Sequence, residues 1–584
     1  IRTPADAKTR ERAPEPREEV AAAVLAVALV ASQWFTYVAS AWGTGMTDGD
    51  TLWYHGPFAG RFVQTGKLSG LGDLATEIHS FLPLNSSLFH ALTILPYGND
   101  FLSPLVNLGW AALAILAAWC IGRCRGVGAL CVLGAVVVLG LPTLVATQPG
   151  SASNDLATAA LFLAAVALLL EGGLAPVPTG VAAVAAGIAL GTKLTVAAPV
   201  AVLTIGVVFL AARAKRWWTA GVWCGGLALS GGYWFVRNWV VNGNPTPYFE
   251  LHLGPLSLDA KIERHPTILD FVTDRSVWRR FFLPGLAEAL GWLWPVLLVL
   301  ALGGAALGIW RARRPIERYL GVGVFAGVIA YAAIPGTGDL EGGLFVYTLR
   351  YLAPVLMIGS ALLALELAGA ATQWRRAAWI TMAALVVVNV AVGRYDDFPA
   401  WARGQFLAAG LTAFVVVAGA VLLSRSELRA RNAAVAVAGG LVVVSGVAGW
   451  FVQDHYLDRR YDEDAGLALD TANAVFRDVE DEKVAVFGTE QLYPMFGLDV
   501  SNRAAKVRIE PPGAPAGTED VALCMAWREA LRGYGYIVMG RQPWTEPGPA
   551  EEWLVSDAAV TQVLRDRDAV VFRVDGPLDP DGCA

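Results

Sequence analysis

Two carboxylates and a histidine fall within eight residues of one another in the stretch Met46-Thr-Asp48-Gly-Asp50-Thr-Leu-Trp-Tyr54-His55-Gly-Pro57. The stretch directly follows a long apolar run, and ionisable groups at the edge of such a run are costly without a purpose. A carboxylate here could act as a general base, or Asp48 and Asp50 could together hold a divalent metal. His55 could join them, although three ligands this close in sequence match no compact metal motif. The alternative is helix capping, for which an Asp before Thr-Leu-Trp-Tyr is well suited. A third acid, Asp155, follows Asn154 at the head of another apolar run and admits the same two readings. Three cations interrupt or border apolar runs: Lys193, Arg237 and Arg350. Each could neutralise an anionic group, or could snorkel to lipid headgroups or pair with a nearby acid such as Asp339 or Glu341.

The elements that must carry these residues are set by composition. The chain has 584 residues, of which 55% are hydrophobic and only 16% charged, with a mean hydropathy of +0.50. Soluble domains carry about 25% charged residues, so most of this chain cannot face water. The apolar residues come in runs of about 20, the length that spans a hydrocarbon core. About thirteen such spans are predicted, near 20–41, 102–122, 126–146, 155–172, 177–191, 195–212, 218–241, 287–310, 319–335, 351–370, 376–393, 405–423 and 432–452. The net charge of −6 gives no reason to expect nucleic acid as a partner. Basic residues cluster beside the runs instead: Arg123 with Arg125, Arg213-Ala-Lys215-Arg216, Arg311-x-Arg313-Arg314, Arg375-Arg376, and Arg425 to Arg431. With the N-terminal tail these clusters share one face, which the positive-inside rule makes cytoplasmic. The chain is therefore expected in the plasma membrane, multi-pass, with its N-terminus inside. Trp217-Trp218, Trp292 and Trp294 read as interfacial belts.

Residues 1–19, charged and Pro-containing, read as a disordered cytoplasmic tail with no cleavable signal peptide. Residues 20–452 form the membrane module, including a long first outer loop at 42–101. Residues 453–584 form an extracytoplasmic domain. All six histidines fall on the outer side: His55, His79, His90, His252, His265 and His455. Within the last domain the apolar runs shrink to strand length at 484–487, 536–539 and 569–574. Helical patterns lie near 462–479 and 556–567, and a Pro/Gly-rich loop at 510–518, which together predict a small α/β unit. If exported, its Cys524 and Cys583 can form a disulfide, whereas Cys120, Cys124, Cys131 and Cys224 lie in or beside apolar runs.

An Asp followed four residues later by an aromatic, just after the first span, resembles the GT-C superfamily of membrane glycosyltransferases. The closer likeness is to the protein O-mannosyltransferase and aminoarabinose-transferase branch and its bacterial relatives. Asp50-Thr-Leu-Trp-Tyr54-His55-Gly-Pro57 carries that likeness, joined by Pro83-Leu-Asn85-Ser86-Ser-Leu88 and Gly98-Asn-Asp100-Phe101. Further on, Gln148-Pro-Gly-Ser-Ala-Ser-Asn154-Asp155, Gly191-Thr192-Lys193, Arg237-Asn238 with Gly243-Asn244-Pro245, and Arg350-Tyr351-Leu-Ala-Pro354 follow in the family's order, so the likeness covers roughly 20–370.

The resemblance implies a GT-C fold and transfer of a sugar, with inversion, from a polyprenyl-phosphate donor to an acceptor hydroxyl outside the cytoplasm. A site facing outward has no supply of nucleotide sugars, so its activated donor must be membrane-held. By the same resemblance Asp50 is the general base, Asp48 its alternative or a metal ligand, and Asp155 a second acid. Tyr54, His55, Lys193, Arg237, Asn238, Tyr347 and Arg350 fall to substrate binding, with Arg350 the first choice for the donor phosphate. A divalent Mg or Mn ion is left open. The acceptor is a glycan, lipid or protein, and membrane lipids are partners. A lipid-linked glycan flippase is the non-enzymatic alternative, and a lipid-linked oligosaccharide ligase the second enzymatic one. A flippase needs charge along a path across the bilayer, whereas the ionisable residues here crowd the outer ends of the spans.

Overall fold

The computed structural model describes residues 15–75, 77–253, 256–260, 265–340, 343–392, 449–463, 467, 469–507, 520–541, 550–579 and 583. Residues 1–14 of the predicted tail, the predicted span 405–423, the predicted span 432–452 up to residue 448, and the predicted loop at 510–518 lie outside them.

Each predicted span up to residue 393 coincides with a helix or a broken pair of helices. By length and composition, four helices among the described residues can cross a membrane: Arg17–Thr44, Ser103–Arg123, Asp155–Gly172 and Leu344–Leu367. Two bent pairs bring the number to as many as six: Leu194–Leu210 with Arg213–Gly231, turning by 117°, and Arg275–Leu290 with Trp294–Trp310, turning by 80°. Gly128–Leu139 and Pro176–Leu190 are shorter apolar helices.

The breaks have local causes. The predicted span 126–146 splits because Leu141, extended before Pro142, cannot continue the helix. The span 287–310 splits at Gly291, whose φ of +85° is a conformation side chains resist. At the helix ends that carry the basic clusters, Glu19 pairs with Arg375 at 2.7 Å, and Glu317, fully buried, pairs with Arg125. Trp217, Trp218 and Trp292 are exposed.

The C-terminal segment holds a five-stranded mixed sheet. Two short strands, β1 (Leu251–Leu253) and β2 (Leu256–Leu258), form a separate antiparallel hairpin in the 242–286 loop. The sheet itself comprises β3 (Lys483–Phe487), β4 (Arg503–Lys506), β5 (Tyr536–Gly540), β6 (Val560–Arg565) and β7 (Ala569–Val574), in the order β4-β3-β5-β7-β6. The β3 strand is parallel to both β4 and β5, while β7 is antiparallel to β5 and β6.

Two sequence expectations are corrected here. The stretch 556–567, expected to be helical, contains strand β6. Its Val-Thr-Gln-Val-Leu-Arg run is half β-branched and largely exposed, as an edge strand is. Asp566 accepts from the N–H groups of Asp568 and Ala569 at 2.8 and 2.7 Å and closes the β6–β7 turn. Of the helix expected over 462–479, the described part is only Asp470–Val475. The Asp470 carboxylate turns back to accept from Leu467 N–H at 2.8 Å, which fixes the start of that short helix. Cys524 and Cys583 are disulfide-bonded, with Cα atoms 5.7 Å apart.

This segment and the long loop after the first helix share one core. Leu52, Tyr54, Phe58 and Phe62 pack with Phe476, Val486, Tyr493 and Phe496. Polar contacts follow the same seam: Arg61 donates to Ala504 C=O at 3.0 Å, and Gln64 to Val500 C=O and Asn502 C=O at 2.8 Å. Arg460 grips Asp100 at 2.7 Å, with Tyr456 donating to the same carboxylate at 2.9 Å. At Gly56 a Cβ would stand 2.5 Å from Cγ of the Tyr493 ring. Replacing Gly56 by Ala should therefore lower stability by about 1–3 kcal/mol through overpacking. A melting temperature of the detergent-solubilised variant equal to wild type would contradict this contact.

Candidate active site

The residues singled out in the first outer loop sit on a turn with an uncommon hydrogen-bond pattern. Thr51–His55 is π-helical and Gly56–Thr65 continues as α-helix. The Gly56 N–H reaches back five residues to Thr51 C=O. Pro57 has no N–H, so it cannot serve Leu52 C=O in the same register. That carbonyl instead accepts from Leu492 N–H at 3.0 Å, a donor from the C-terminal segment. Widened turns of this kind recur at functional sites.

Capping and chemistry are divided between the two acids. Asp48 accepts from Thr51 N–H at 3.3 Å and from Ser153 Oγ at 3.0 Å, so it is Asp48 that holds the start of the turn. Asp50 makes no capping bond. Its carboxylate is ion-paired with Arg350, whose Nε also contacts Asp155 at 2.8 Å. Asp155 is the first residue of its helix, and the N-cap position is held by Asn154, which makes no side-chain capping bond. Asp155 takes Lys193 Nζ at 2.6 Å, and Gln148 Nε2 donates to it at 3.3 Å. The result is a buried chain of alternating charge, Asp50–Arg350–Asp155–Lys193, in which Arg350 and Asp155 are each about 1% exposed at the side chain. Tyr347 lies beneath the guanidinium, 3.6 Å from its ring centroid, and Tyr351 lies under Lys193 at 3.9 Å.

Backbone clamps bring these four elements together. Asn107 donates to the carbonyls of Gln148, Ser151 and Ser153 at 2.7–3.0 Å and fixes the loop before Asp155. Asn154 donates to Thr192 C=O at 3.1 Å, which sets Lys193 beside Asp155. Asn85, from the first loop, accepts from Trp234 Nε1 at 2.9 Å and donates to Ser230 C=O at 3.0 Å.

A cavity of about 1720 Å³ opens beside the network. Asp50, Tyr54, Lys193, Tyr347 and Tyr351 line it, and most of the remaining wall is apolar. Tyr54 stacks on His79 at 4.4 Å, another lining residue. The other predicted site residues are placed elsewhere. His55 is fully buried away from the cavity, with Nδ1 3.1 Å from Ser87 Oγ. Arg237 donates to Ser80 C=O and Asn238 to Phe81 C=O, both at 2.8 Å, so this pair ties the first loop to its helix and does not line the cavity. Among the described residues no three His, Cys, Asp or Glu side chains are placed to share a metal ion. Asp48, Asp50 and His55, each directed to a different partner, do not fit together as a ligand set, and no step below is routed through a metal.

Sequence reasoning missed Gln148, Ser153 and Tyr351 as parts of the site. All three lie inside motifs already singled out, but short polar loops carry no periodicity that separates a site residue from a structural one. It also offered Asp339 and Glu341 as examples of acids that could pair with the candidate cations; Arg350 is paired with Asp50 and Asp155, and Glu341 lies outside the described residues.

Burial alone would raise Asp50, but Arg350, with His55 and Lys193 behind it, outweighs that and holds the carboxyl well below the usual range. Asp48 is pushed up to about 7 by the protein packed around it and by the charge on Asp50. A carboxyl raised in the folded state favours folding at low pH, and the benefit is lost as pH rises through about 7. The melting temperature of wild type should thus fall from pH 5 to pH 8 relative to that of Asp48→Asn. Parallel curves for the two proteins would show that Asp48 does not titrate there.

No family model matches the sequence, and no curated protein does. Solved structures do match. ArnT from Cupriavidus metallidurans in the apo state aligns with a TM-score of 0.52 and 15% identity, over 92% of this chain and 95% of its own. The same protein bound to undecaprenyl phosphate aligns at 0.51 and 15%, over 93% and 97%. Both solved chains are GT-C superfamily members. At this identity the likeness speaks for architecture alone: over nearly the whole length of both chains the protein shares the fold of ArnT.

Proposed function

We propose that the chain is an inverting glycosyltransferase that moves a sugar from a polyprenyl phosphate to an acceptor hydroxyl on the extracytoplasmic face of the membrane. The observation that carries this reading is the buried network Asp50–Arg350–Asp155–Lys193, of which Asp50 and Lys193 reach the wall of a large, mostly apolar cavity. Apolar walls suit an isoprenoid chain, and a lysine at the wall with an arginine buried behind it suits its phosphate.

In the reaction the acceptor oxygen attacks the anomeric carbon from the face opposite the carrier. The new carbon–oxygen bond forms as the bond to the phosphate oxygen breaks, and the electron pair leaves with the phosphate. Asp50 takes the acceptor's proton. Arg350 and Lys193 receive the charge that builds on the leaving phosphate. Asp155 contacts both cations and holds them for that task. At rest Asp50 is a poor base because Arg350 neutralises it. A donor phosphate competing for the guanidinium frees Asp50 and raises its proton affinity, so the base is armed by the substrate it serves.

Orientation belongs to the same proposal. The Cys524–Cys583 disulfide suits an oxidising compartment, and the basic clusters sit at the opposite ends of the helices. The flippase reading is less well supported, since the ionisable residues crowd the outer ends of the predicted spans and do not mark a path across the bilayer. Asp50→Asn should lower sugar transfer from a short-chain polyprenyl-phosphate sugar by about 10²-fold or more while donor binding is retained. Undiminished transfer by this variant would remove Asp50 as base. Movement of intact lipid without bond cleavage by wild type would favour the flippase.

A further inference from the structure

The cavity wall carries a second polar feature, which the charge network does not use. Gln33 in the helix Arg17–Thr44 and Asn389 in the helix Thr372–Val392 both line the cavity. They are 3% and 4% exposed. Gln33 Oε1 and both amide atoms of Asn389 have no hydrogen-bond partner among the described residues. The two helices start together at the Glu19–Arg375 ion pair. Gln33 lies fourteen residues beyond Glu19 (33 − 19), and Asn389 fourteen beyond Arg375 (389 − 375). At 1.5 Å per residue both amides stand about 21 Å from that pair, at one level of the cavity.

The backbone makes space for one of them. Gly291 has φ +85°, and a Cβ there would collide with Asn389 Oδ1. Val145, Pro284 and Ala287 are among the lining residues, together with Tyr37 and Glu288.

Buried amides without partners are rare and costly, and their presence asks what satisfies them. A phosphate calls for positive charge and an isoprenoid for an apolar surface, and two neutral amides select neither. Each amide offers a donor and an acceptor side by side, which matches the paired hydroxyls of a sugar ring. We propose that Gln33 and Asn389 form a hydroxyl-binding subsite for a glycan ring, either the donor's sugar or that of a glycan acceptor. The proposal rests on the glycosyl-transfer reading of the cavity.

The test uses the full chain in detergent, with Gln33→Leu, Asn389→Leu and the double variant, which keep an apolar wall and remove the amides. The probes are a short-chain polyprenyl-phosphate hexose and the same polyprenyl phosphate without sugar. If the donor's sugar is the ligand, wild type binds the hexose-bearing lipid about tenfold tighter than the bare lipid, and the double variant binds both alike. If a glycan acceptor is the ligand, donor discrimination survives and the acceptor KM rises about tenfold at saturating donor. Either result supports the subsite. Wild-type transfer with variants that match it in both measurements removes the subsite alone, as does an equal loss of affinity for both lipids, which marks a merely structural role. Wild type that neither binds nor uses the hexose-bearing lipid removes the transfer reading and the subsite together.

Discussion

A single guanidinium holds two carboxylates from separate elements that both precede it far back in the chain. Arg350 contacts Asp50, on the turn after the first helix, and Asp155, at the head of another, and it is itself almost wholly buried. An arginine left there without both partners would be an uncompensated charge in a dry interior, which costs about 3–5 kcal/mol. The network is therefore self-consistent only as a set, with Lys193 balancing the second acid. Two acids and two bases cancel, so the resting site is close to neutral despite its four charges. A phosphate entering it disturbs that balance and must be met by a shift of proton or partner.

The tyrosines beneath the cations give the site a directional character. Tyr347 and Tyr351 cover one face of Arg350 and Lys193 with π-density, and the carboxylates occupy their edges. Lys193, about 14% exposed at the side chain, keeps a route to the cavity. Asn107, Asn154 and Asn85 contribute no chemistry of their own. Their amides bind loop carbonyls from distant helices, and without them the four charged residues would have no reason to converge.

How much of this could be read beforehand depended on the range of the physics. Apolar runs are local, and the helices up to residue 392 lie where the runs are. The three strands predicted from dense apolar clusters are present. Strand β4 and the helix Asp520–Ala530 went unseen because their patterns are short or polar on one face. The reading of 556–567 as helix failed because an edge strand with one exposed face and a charged turn imitates an amphipathic helix. In the site, Asp50, Asp155, Lys193, Tyr347 and Arg350 were identified by type and motif, and the structure gathers them. His55, Arg237 and Asn238 were offered for substrate binding as well; His55 meets Ser87 in the helix Asn85–Ile94, and the other two donate to the carbonyls of Ser80 and Phe81. Which acid pairs with which cation is decided across hundreds of residues, and no local pattern encodes it.

One bond links the turn that carries Asp50 to the far part of the chain. Because Pro57 withholds its N–H, Leu52 C=O depends on Leu492. During synthesis, a nascent chain already long enough to have placed most of its helices in the bilayer still has this turn unfinished. Its geometry is completed only after the ribosome has passed residue 492 and the sheet segment has folded back onto the first loop. Maturation of the turn is in this way coupled to the completeness of the polypeptide, and a prematurely terminated product would carry every charged residue of the network yet lack the donor that fixes its backbone.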